Sequence, residues 1–343
     1  MLTLVNIKGI RFSSKFTSFC AITGLAIPML AIIILFIAWV VLGHPLQIQL
    51  TGDSLLPSFK QTDNWFALTA IMLGFAGMEL ATVHIKDVHQ PKKTFPKALA
   101  ISCVFILVTM TLGSLAIASV LPYNQINLVN GTVETFTYFL SVYHLNWLSP
   151  ILTVLIIVGS LGGTISWVIS PVKGLSQAAE QGFLPDFFCK KNKYGVSHHL
   201  LLTQAVLVSL VCLAFVLFPS VNGSYWFLTA LCTQLYMLMY VLMFLAALRL
   251  RKHHTPSPQA FIIPGKKIGL WSVCLLGLGG CFATLWVGFI PPKTFNIGGE
   301  AYYQLLFCSG MAAMIVPILF FYWYRQRTIK LSSPAALAID NNS

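Results

Sequence analysis

The chain has 343 residues, of which 57% are hydrophobic and only 9% are charged. Soluble domains carry about 25% charged residues, so this composition excludes a soluble globular protein and predicts an integral membrane protein. The net charge of +12 comes from 21 Lys and Arg residues against 9 Asp and Glu residues. Because the basic residues lie beside the ends of apolar segments, we interpret them as membrane-flanking charges and expect no nucleic-acid partner.

Eight apolar segments are long enough to cross a bilayer, which takes roughly 17–25 residues of helix. Their approximate bounds are 16–42, 64–84, 97–121, 147–171, 200–218, 224–248, 268–290 and 301–324. We therefore predict an all-α membrane protein with one transmembrane domain over residues 1–330 and a cytoplasmic tail over residues 331–343.

An even number of spans places both termini on the same side of the membrane. On this topology every Lys and Arg except Lys60 and Lys293 lies on the side of the termini. Cytoplasmic loops carry the excess of positive charge in membrane proteins, so we predict that both termini are cytoplasmic. The apolar run 16–42 is too long for the core of a signal peptide and is predicted to be the first span.

The second segment contains two glycines, Gly74 and Gly77, followed by the only acidic residue of any apolar segment, Glu79. Glycine is a weak helix former, and open backbone at membrane depth is tolerated where it lines a cavity. An intramembrane carboxylate marks a functional site by default. We predict a broken helix in which Gly74, Phe75, Ala76, Gly77 and Glu79 contact a substrate. The second half of this helix would offer free N–H groups to a substrate carboxylate. Glu79 would bind a substrate amine or couple protonation to gating.

Two other interpretations of this stretch stay open at the level of sequence. The glycines could let two helices approach closely, as small residues do in membranes. Glu79 could reach the cytoplasmic interface, because it lies near the expected end of the helix. The close-packing interpretation is compatible with a break in the helix.

The chain that follows has two proline-marked regions. Pro91 and Pro96 bracket a basic loop, and we expect the third span to begin as a helix near Pro96. The fourth span contains Gly162, Gly163 and Thr164, small residues able to lie against a broken neighbour and line the substrate site. After Pro171 we expect a separate, short amphipathic helix on the cytoplasmic surface.

No pattern in the chain predicts enzymatic or metal chemistry. The pair His198 and His199 is expected in a cytoplasmic loop, and no Cys and His spacing is typical of a zinc site. No phosphate-binding glycine loop or Ser/His/Asp set is present. We expect neither a metal nor a cofactor, and we do not expect an enzyme.

Three stretches resemble the amino acid–polyamine–organocation transporters. They are residues 74–84 (GFAGMELATVH), residues 91–98 (PKKTFPKA), and the glycine-rich block with its following loop at residues 159–192. Residues 263–265 (IPG) and 290–292 (IPP) favour the subgroup of bacterial glutamate/γ-aminobutyrate antiporters. The resemblance covers about residues 10 to 325.

This resemblance implies a LeuT-type fold of two inverted five-helix repeats, each with a broken helix at the substrate site. On that mapping the chain holds the fifth to twelfth helices and is truncated at its N-terminus. The resemblance also implies exchange of a glutamate-like amino acid for a γ-aminobutyrate-like product by alternating access in a bacterial inner membrane. The alternatives are a non-transporting fragment, or one half that needs a separate chain with the first four helices.

Overall fold

The computed structural model describes residues 2–7, 10–48, 62–122, 126–127, 130–213, 221–253, 261, 263–290 and 299–331. In this part of the chain every regular element is helical. The chain divides into two compact units. The first comprises Met1–Phe19, Leu161–Leu213 and Leu305–Ser343, and the second comprises Cys20–Ser160 and Ala214–Gln304. The expected single domain over residues 1–330 stays a prediction.

The α-helices follow one another with short 3₁₀ and π turns between some of them. They are α1 (Leu2–Ile7), α2 (Ile10–Ala21), α3 (Ile27–Val41), α4 (Thr62–Phe75), α5 (Pro91–Val120), α6 (Gly131–Val142), α7 (Ser149–Glu180), α8 (His198–Cys212), α9 (Val221–His253), α10 (Lys266–Gly288) and α11 (Glu300–Leu331). A π turn, Ile22–Ala26, joins α2 to α3, and 3₁₀ helices occupy Met78–Asp87, Asn146–Leu148 and Asp186–Cys189.

Six helical stretches in the described residues are long and apolar enough to cross a membrane. They are Lys15–Val41, Pro91–Val120, Asn146–Glu180, Val221–Lys252, Lys266–Gly288 and Glu300–Gln326. The two other predicted spans coincide with shorter apolar helices, Ala67–Val83 and His198–Cys212. Large apolar side chains such as Ile34 and Leu305 are 65% and 70% exposed, as expected for surfaces that face lipid. The prediction of an all-α membrane protein is confirmed.

The first span contains a π turn immediately before its proline. Pro28 lies in the first turn of α3, directly after the turn Ile22–Ala26. A proline ring clashes with the carbonyl four residues earlier, and a π turn relieves such a clash by widening the helix locally. Within this turn Gly24 packs against Gly159 of α7, where a Cβ on Gly24 would lie 2.1 Å from the Gly159 nitrogen. The two backbones can approach this closely only because both residues are glycines.

The second unit has a core of aromatic and aliphatic side chains from four helices. It consists of Ile32, Ile33, Phe36 and Trp39 of α3, Ala116 and Val120 of α5, Phe136, Phe139 and Leu140 of α6, and Leu152 of α7. The helix α6 lies between the predicted spans 97–121 and 147–171, outside every predicted span. Its apolar residues recur at the three- and four-residue spacing of a buried helix face, which explains why it packs here.

The first unit has a smaller core, and two asparagines tie its N-terminal residues in place. The core residues are Ile169 and Val172 of α7, Val196, and Leu200 and Leu201 of α8. Asn6 Nδ2 donates to the Ile165 carbonyl at 3.2 Å, and Asn192 Nδ2 donates to the Ile7 carbonyl at 2.9 Å. These bonds fix α1 against this unit.

The structure corrects three expectations about local elements. The helix α5 begins at Pro91 rather than near Pro96, since a proline close to a helix start removes few hydrogen bonds. The expected break after Pro171 is wrong, because α7 continues through that residue and ends at Glu180, two residues before Gly182, whose φ is +77°. The pair His198 and His199 opens α8 instead of lying in a loop.

Candidate functional site

The predicted break in the second apolar segment is present. The helix α4 ends at Phe75, and a 3₁₀ helix begins at Met78. Between them Gly77 has a φ of +95°, a backbone conformation that is costly for residues with a Cβ. The prediction of a broken helix at these glycines is therefore confirmed.

The two glycines of this stretch serve different purposes. A Cβ on Gly74 would lie 2.6 Å from Sδ of Met110 on α5, so Gly74 permits close packing. Gly77 instead supplies the left-handed turn at the break. The packing interpretation thus applies to the first glycine and the helix-breaking interpretation to the second.

The carboxylate of Glu79 folds back onto the start of its own 3₁₀ helix. Its Oε2 accepts a hydrogen bond from the Gly77 N–H at 3.0 Å and another from the Tyr240 hydroxyl at 2.6 Å. The Gly77 N–H is also 3.3 Å from the Tyr240 oxygen. The Gly77 N–H is thus occupied in this structure, because Glu79 caps it. Binding of a substrate carboxylate by N–H groups of the second half stays a prediction.

The second oxygen of the same carboxylate has no partner in the structure. Glu79 Oε1 is buried and makes no hydrogen bond. A buried polar oxygen without a donor is costly, more so if it is charged, and such an atom calls for an explanation. The burial of this oxygen favours a role for Glu79 inside the protein, while the alternative in which the residue reaches the cytoplasmic interface stays untested.

Glu79 contributes to the lining of a cavity of about 620 Å³ within the second unit. This volume lies in the range of about 300–1,000 Å³ that is usual for small-molecule sites. The lining residues come from the broken segment and from α5, α9 and α10: Met72, Phe75, Met78, Glu79, Thr82, Leu99, Ala100, Cys103, Met237, Tyr240, Met243, Phe244, Leu276, Gly277, Gly280 and Cys281.

Among the residues predicted to contact a substrate, Phe75 and Glu79 line this cavity, whereas Gly74, Ala76 and Gly77 shape the break beside it. Gly162, Gly163 and Thr164 lie on α7 in the first unit. Gly162 is buried there, and the other two are exposed. Their part in substrate binding stays a prediction.

The contribution of α9 to the site was missed at the level of sequence. Tyr236 and Tyr240 recur at helical spacing in an otherwise apolar segment, and their ring centroids are 6.0 Å apart. Two phenol groups on one helix face were the available signal. Only the fold shows that Tyr240 reaches Glu79.

The comparisons with known proteins agree with one another on the family of this chain. A family profile described as "Amino acid permease" matches residues 1–317. An uncharacterised transporter of Legionella pneumophila is 34% identical over 321 residues, which are 93% of this chain and 69% of that protein. A glutamate/gamma-aminobutyrate antiporter of Lactococcus lactis is 25% identical over 331 residues, which are 95% of this chain and 66% of that protein.

The match therefore runs along nearly the whole of this chain, while the chain spans about two thirds of the length of these relatives. A probable agmatine/putrescine antiporter of Lactococcus lactis matches a shorter part, at 26% identity over 216 residues, or 63% of this chain and 46% of that protein. Together with the apolar helices and the broken segment, the profile shows that the chain is a multi-pass membrane protein and belongs to the amino acid permease family.

Proposed function

We propose that this protein is a transporter that exchanges an amino acid for its decarboxylation product across a bacterial inner membrane, with both termini in the cytoplasm. The resemblance and the names of two relatives point to a glutamate-like substrate and a γ-aminobutyrate-like product. The observation that carries the proposal is the break at Gly77, where a carboxylate with one unpaired oxygen borders a cavity.

The groups at the break match the head group of an amino acid. A zwitterionic amino acid carries one carboxylate, which needs a donor, and one ammonium, which needs an acceptor. The Gly77 N–H is such a donor, at the positive end of a short helix. Glu79 is such an acceptor, so both groups stand within one hydrogen-bonded unit.

In the described conformation these two groups satisfy each other, which supports a gating role for Glu79. The bonds from Gly77 and Tyr240 to Glu79 hold the broken segment against α9. An incoming carboxylate would compete with Glu79 for the Gly77 N–H, and a proton on Glu79 would weaken both of its bonds. The first event would break the bond between Gly77 and Glu79, and the second would weaken the bond to Tyr240 as well, so each would favour a second conformation of the broken segment.

Exchange in proteoliposomes tests this proposal. The purified protein is reconstituted with an unlabelled amino acid inside, and a labelled amino acid or its decarboxylation product is added outside. We expect uptake that depends on the internal solute, since an antiporter moves one solute only against another. An absence of exchange across a panel of amino acids and their amines, in vesicles that contain folded protein, would contradict the proposal.

A further inference from the structure

Three helices that line the cavity each carry a buried polar residue one turn beyond the lining. These residues are Thr69 of α4, Gln234 of α9 and Thr284 of α10. Each is three or four positions from a lining residue, and residues at that spacing share a helix face. The lining residues concerned are Met72, Met237 and Gly280. On the proposed topology α4 and α9 run inward and α10 runs outward, so the three polar residues lie on the outer side of the cavity.

The side chain of Gln234 is fully buried, and only one end of its amide is paired. Its Nε2 donates to the Thr284 carbonyl at 2.9 Å, whereas its Oε1 has no partner in the described part of the chain. A carbonyl can accept only from the amide nitrogen, so this bond fixes the direction of the amide. A Cβ on Gly288 would lie 1.8 Å from Nε2, so this glycine makes room for the side chain. Gln234 is therefore held in place with its acceptor oxygen unused.

The hydroxyl of Thr69 is the second unpaired group at this level. A threonine inside a helix commonly donates to the carbonyl four residues earlier, as Thr284 does to Gly280 at 2.8 Å. Thr69 is 1% exposed, and its hydroxyl makes no hydrogen bond among the described residues. The Thr69 carbonyl lies 3.5 Å from the hydroxyl of Thr233, which places α4 against α9 here.

Helix packing does not account for these two atoms. Polar side chains stabilise the packing of membrane helices when they bond across the interface, and the Gln234 nitrogen does so. An unpaired buried polar atom destabilises the protein instead, and it calls for an explanation. Both atoms lie one turn from the cavity, on the side where a solute would enter or leave. A carbonyl oxygen and a hydroxyl are the partners that an ammonium and a carboxylate require.

We propose that Gln234 Oε1 and the Thr69 hydroxyl form a second subsite, which binds the head group of the solute between the cavity and the outer face of the membrane. The ammonium of the solute donates to Gln234 Oε1, and its carboxylate accepts from the Thr69 hydroxyl. The packed helices close this subsite in the described conformation and separate to admit the solute. The inference rests on the proposed function, because it places a moving solute in the cavity.

Thiol labelling tests whether the subsite opens to the outside, and it requires no transport. The variant Thr69→Cys, in proteoliposomes of known orientation, is treated on its outer side with 2-(trimethylammonium)ethyl methanethiosulfonate, a cation that does not cross membranes. Thr135→Cys is the matched control, since Thr135 is also fully buried but lies on α6, outside the cavity lining. Mass spectrometry separates the new thiol from the native cysteines. We expect labelling of Thr69→Cys and none of Thr135→Cys, and equal labelling of the two folded variants would overturn the inference.

The sidedness of KM tests the contact with the solute. Gln234→Met keeps the length of the side chain and removes the amide oxygen. The probe is glutamate, or another amino acid of the exchange panel if glutamate is not transported. We expect KM for the external amino acid to rise about tenfold and KM for the internal one to stay unchanged, since an ammonium hydrogen bond is lost on the outer side only.

A matched control separates this effect from a packing defect. Gln204→Met makes the same change on α8 in the first unit, where Gln204 Oε1 is also buried without a partner, and it should leave both KM values unchanged. A packing defect would lower the unfolding temperature of Gln234→Met without a difference between the two sides. No change in KM, or an equal change on both sides, would overturn the inference.

Failure of this inference and failure of the proposed function give different results. Exchange without labelling of Thr69→Cys, and with equal KM changes on both sides in Gln234→Met, would overturn the subsite and leave the exchange proposal in place. Labelling of Thr69→Cys without exchange of any solute would overturn the exchange proposal and leave the outer opening at Thr69 in place.

Discussion

The Tyr240 hydroxyl donates a 2.6 Å hydrogen bond to Glu79 Oε2, and these two residues are 161 positions apart in the chain. The bond joins the second half of a broken helix to the long helix α9. If this bond holds the broken segment against α9 during the transport cycle, removal of the bond should alter transport more than folding.

Tyr240→Phe removes this hydroxyl and keeps the ring. We expect the initial rate of exchange to differ from that of the unaltered protein by about tenfold or more, because a hydrogen bond to a charged group is worth roughly 1.5–3 kcal/mol. Tyr225→Phe is the matched control, since Tyr225 lies on the same helix and is 44% exposed. Initial rates of exchange in proteoliposomes measure the effect. Equal rates in the two variants would argue against a role for the bond.

Gly77→Ala tests the break itself. At a φ of +95° a Cβ is strained, and left-handed backbone costs a residue other than glycine roughly 1–2 kcal/mol. We expect a lower unfolding temperature and slower exchange. Gly279→Ala is the control, because nothing lies within 4 Å of its Cβ position in α10. A Gly77→Ala variant as stable and active as Gly279→Ala would show that the break does not need glycine.

Gly24→Ala tests the close approach of the first span to α7. The added methyl would lie 2.1 Å from the Gly159 nitrogen, a backbone atom that cannot rotate away. Overpacking of this kind costs about 1–3 kcal/mol, so we expect a lower unfolding temperature. Gly113→Ala, with nothing within 4 Å of its Cβ position, should be neutral. Thermal unfolding of both variants in one detergent compares them, and an unfolding temperature for Gly24→Ala equal to that of Gly113→Ala would contradict the packing described here.

Much of the fold follows from hydropathy and charge, but the site does not. The lengths of the apolar segments predicted the spans, and the weak helix propensity of Gly74 and Gly77 predicted the break. Sequence could not predict that α7 continues through Pro171, because a proline in a membrane helix either ends it or is tolerated according to its neighbours. Nor could the sequence predict the contact between Tyr240 and Glu79, since that contact depends on how α9 packs. The capping of Gly77 by Glu79 depends on the turn geometry and is likewise visible only in the fold.

The histidine pair at the start of α8 should make stability depend on pH. The His199 ring lies 3.8 Å from that of Phe187 and 3.9 Å from that of His198, measured between centroids. Partial desolvation, then the charges of His198 and Lys190, lower the pKa of His199. A lowered pKa in the folded state means that the unfolded chain binds the proton more readily. Stability is therefore full above the unfolded pKa of about 6.5 and falls as the pH drops below it.

The variant His199→Gln should flatten this pH dependence. We expect the unfolding temperature of the unaltered protein to fall between pH 7.5 and pH 5.5 by more than that of the variant. Thermal unfolding at both values measures the difference. Parallel curves for the two proteins would show that His199 does not contribute.

The most direct test of the account is exchange by the variant Glu79→Gln, measured beside the unaltered protein and the control variant Glu134→Gln. Glu134 lies in the first turn of α6, outside the cavity lining. The account predicts active exchange by the unaltered protein and by Glu134→Gln, and a loss of at least about tenfold in Glu79→Gln. Exchange by Glu79→Gln at the rate of the unaltered protein would contradict the claim that the carboxylate at the helix break handles the solute.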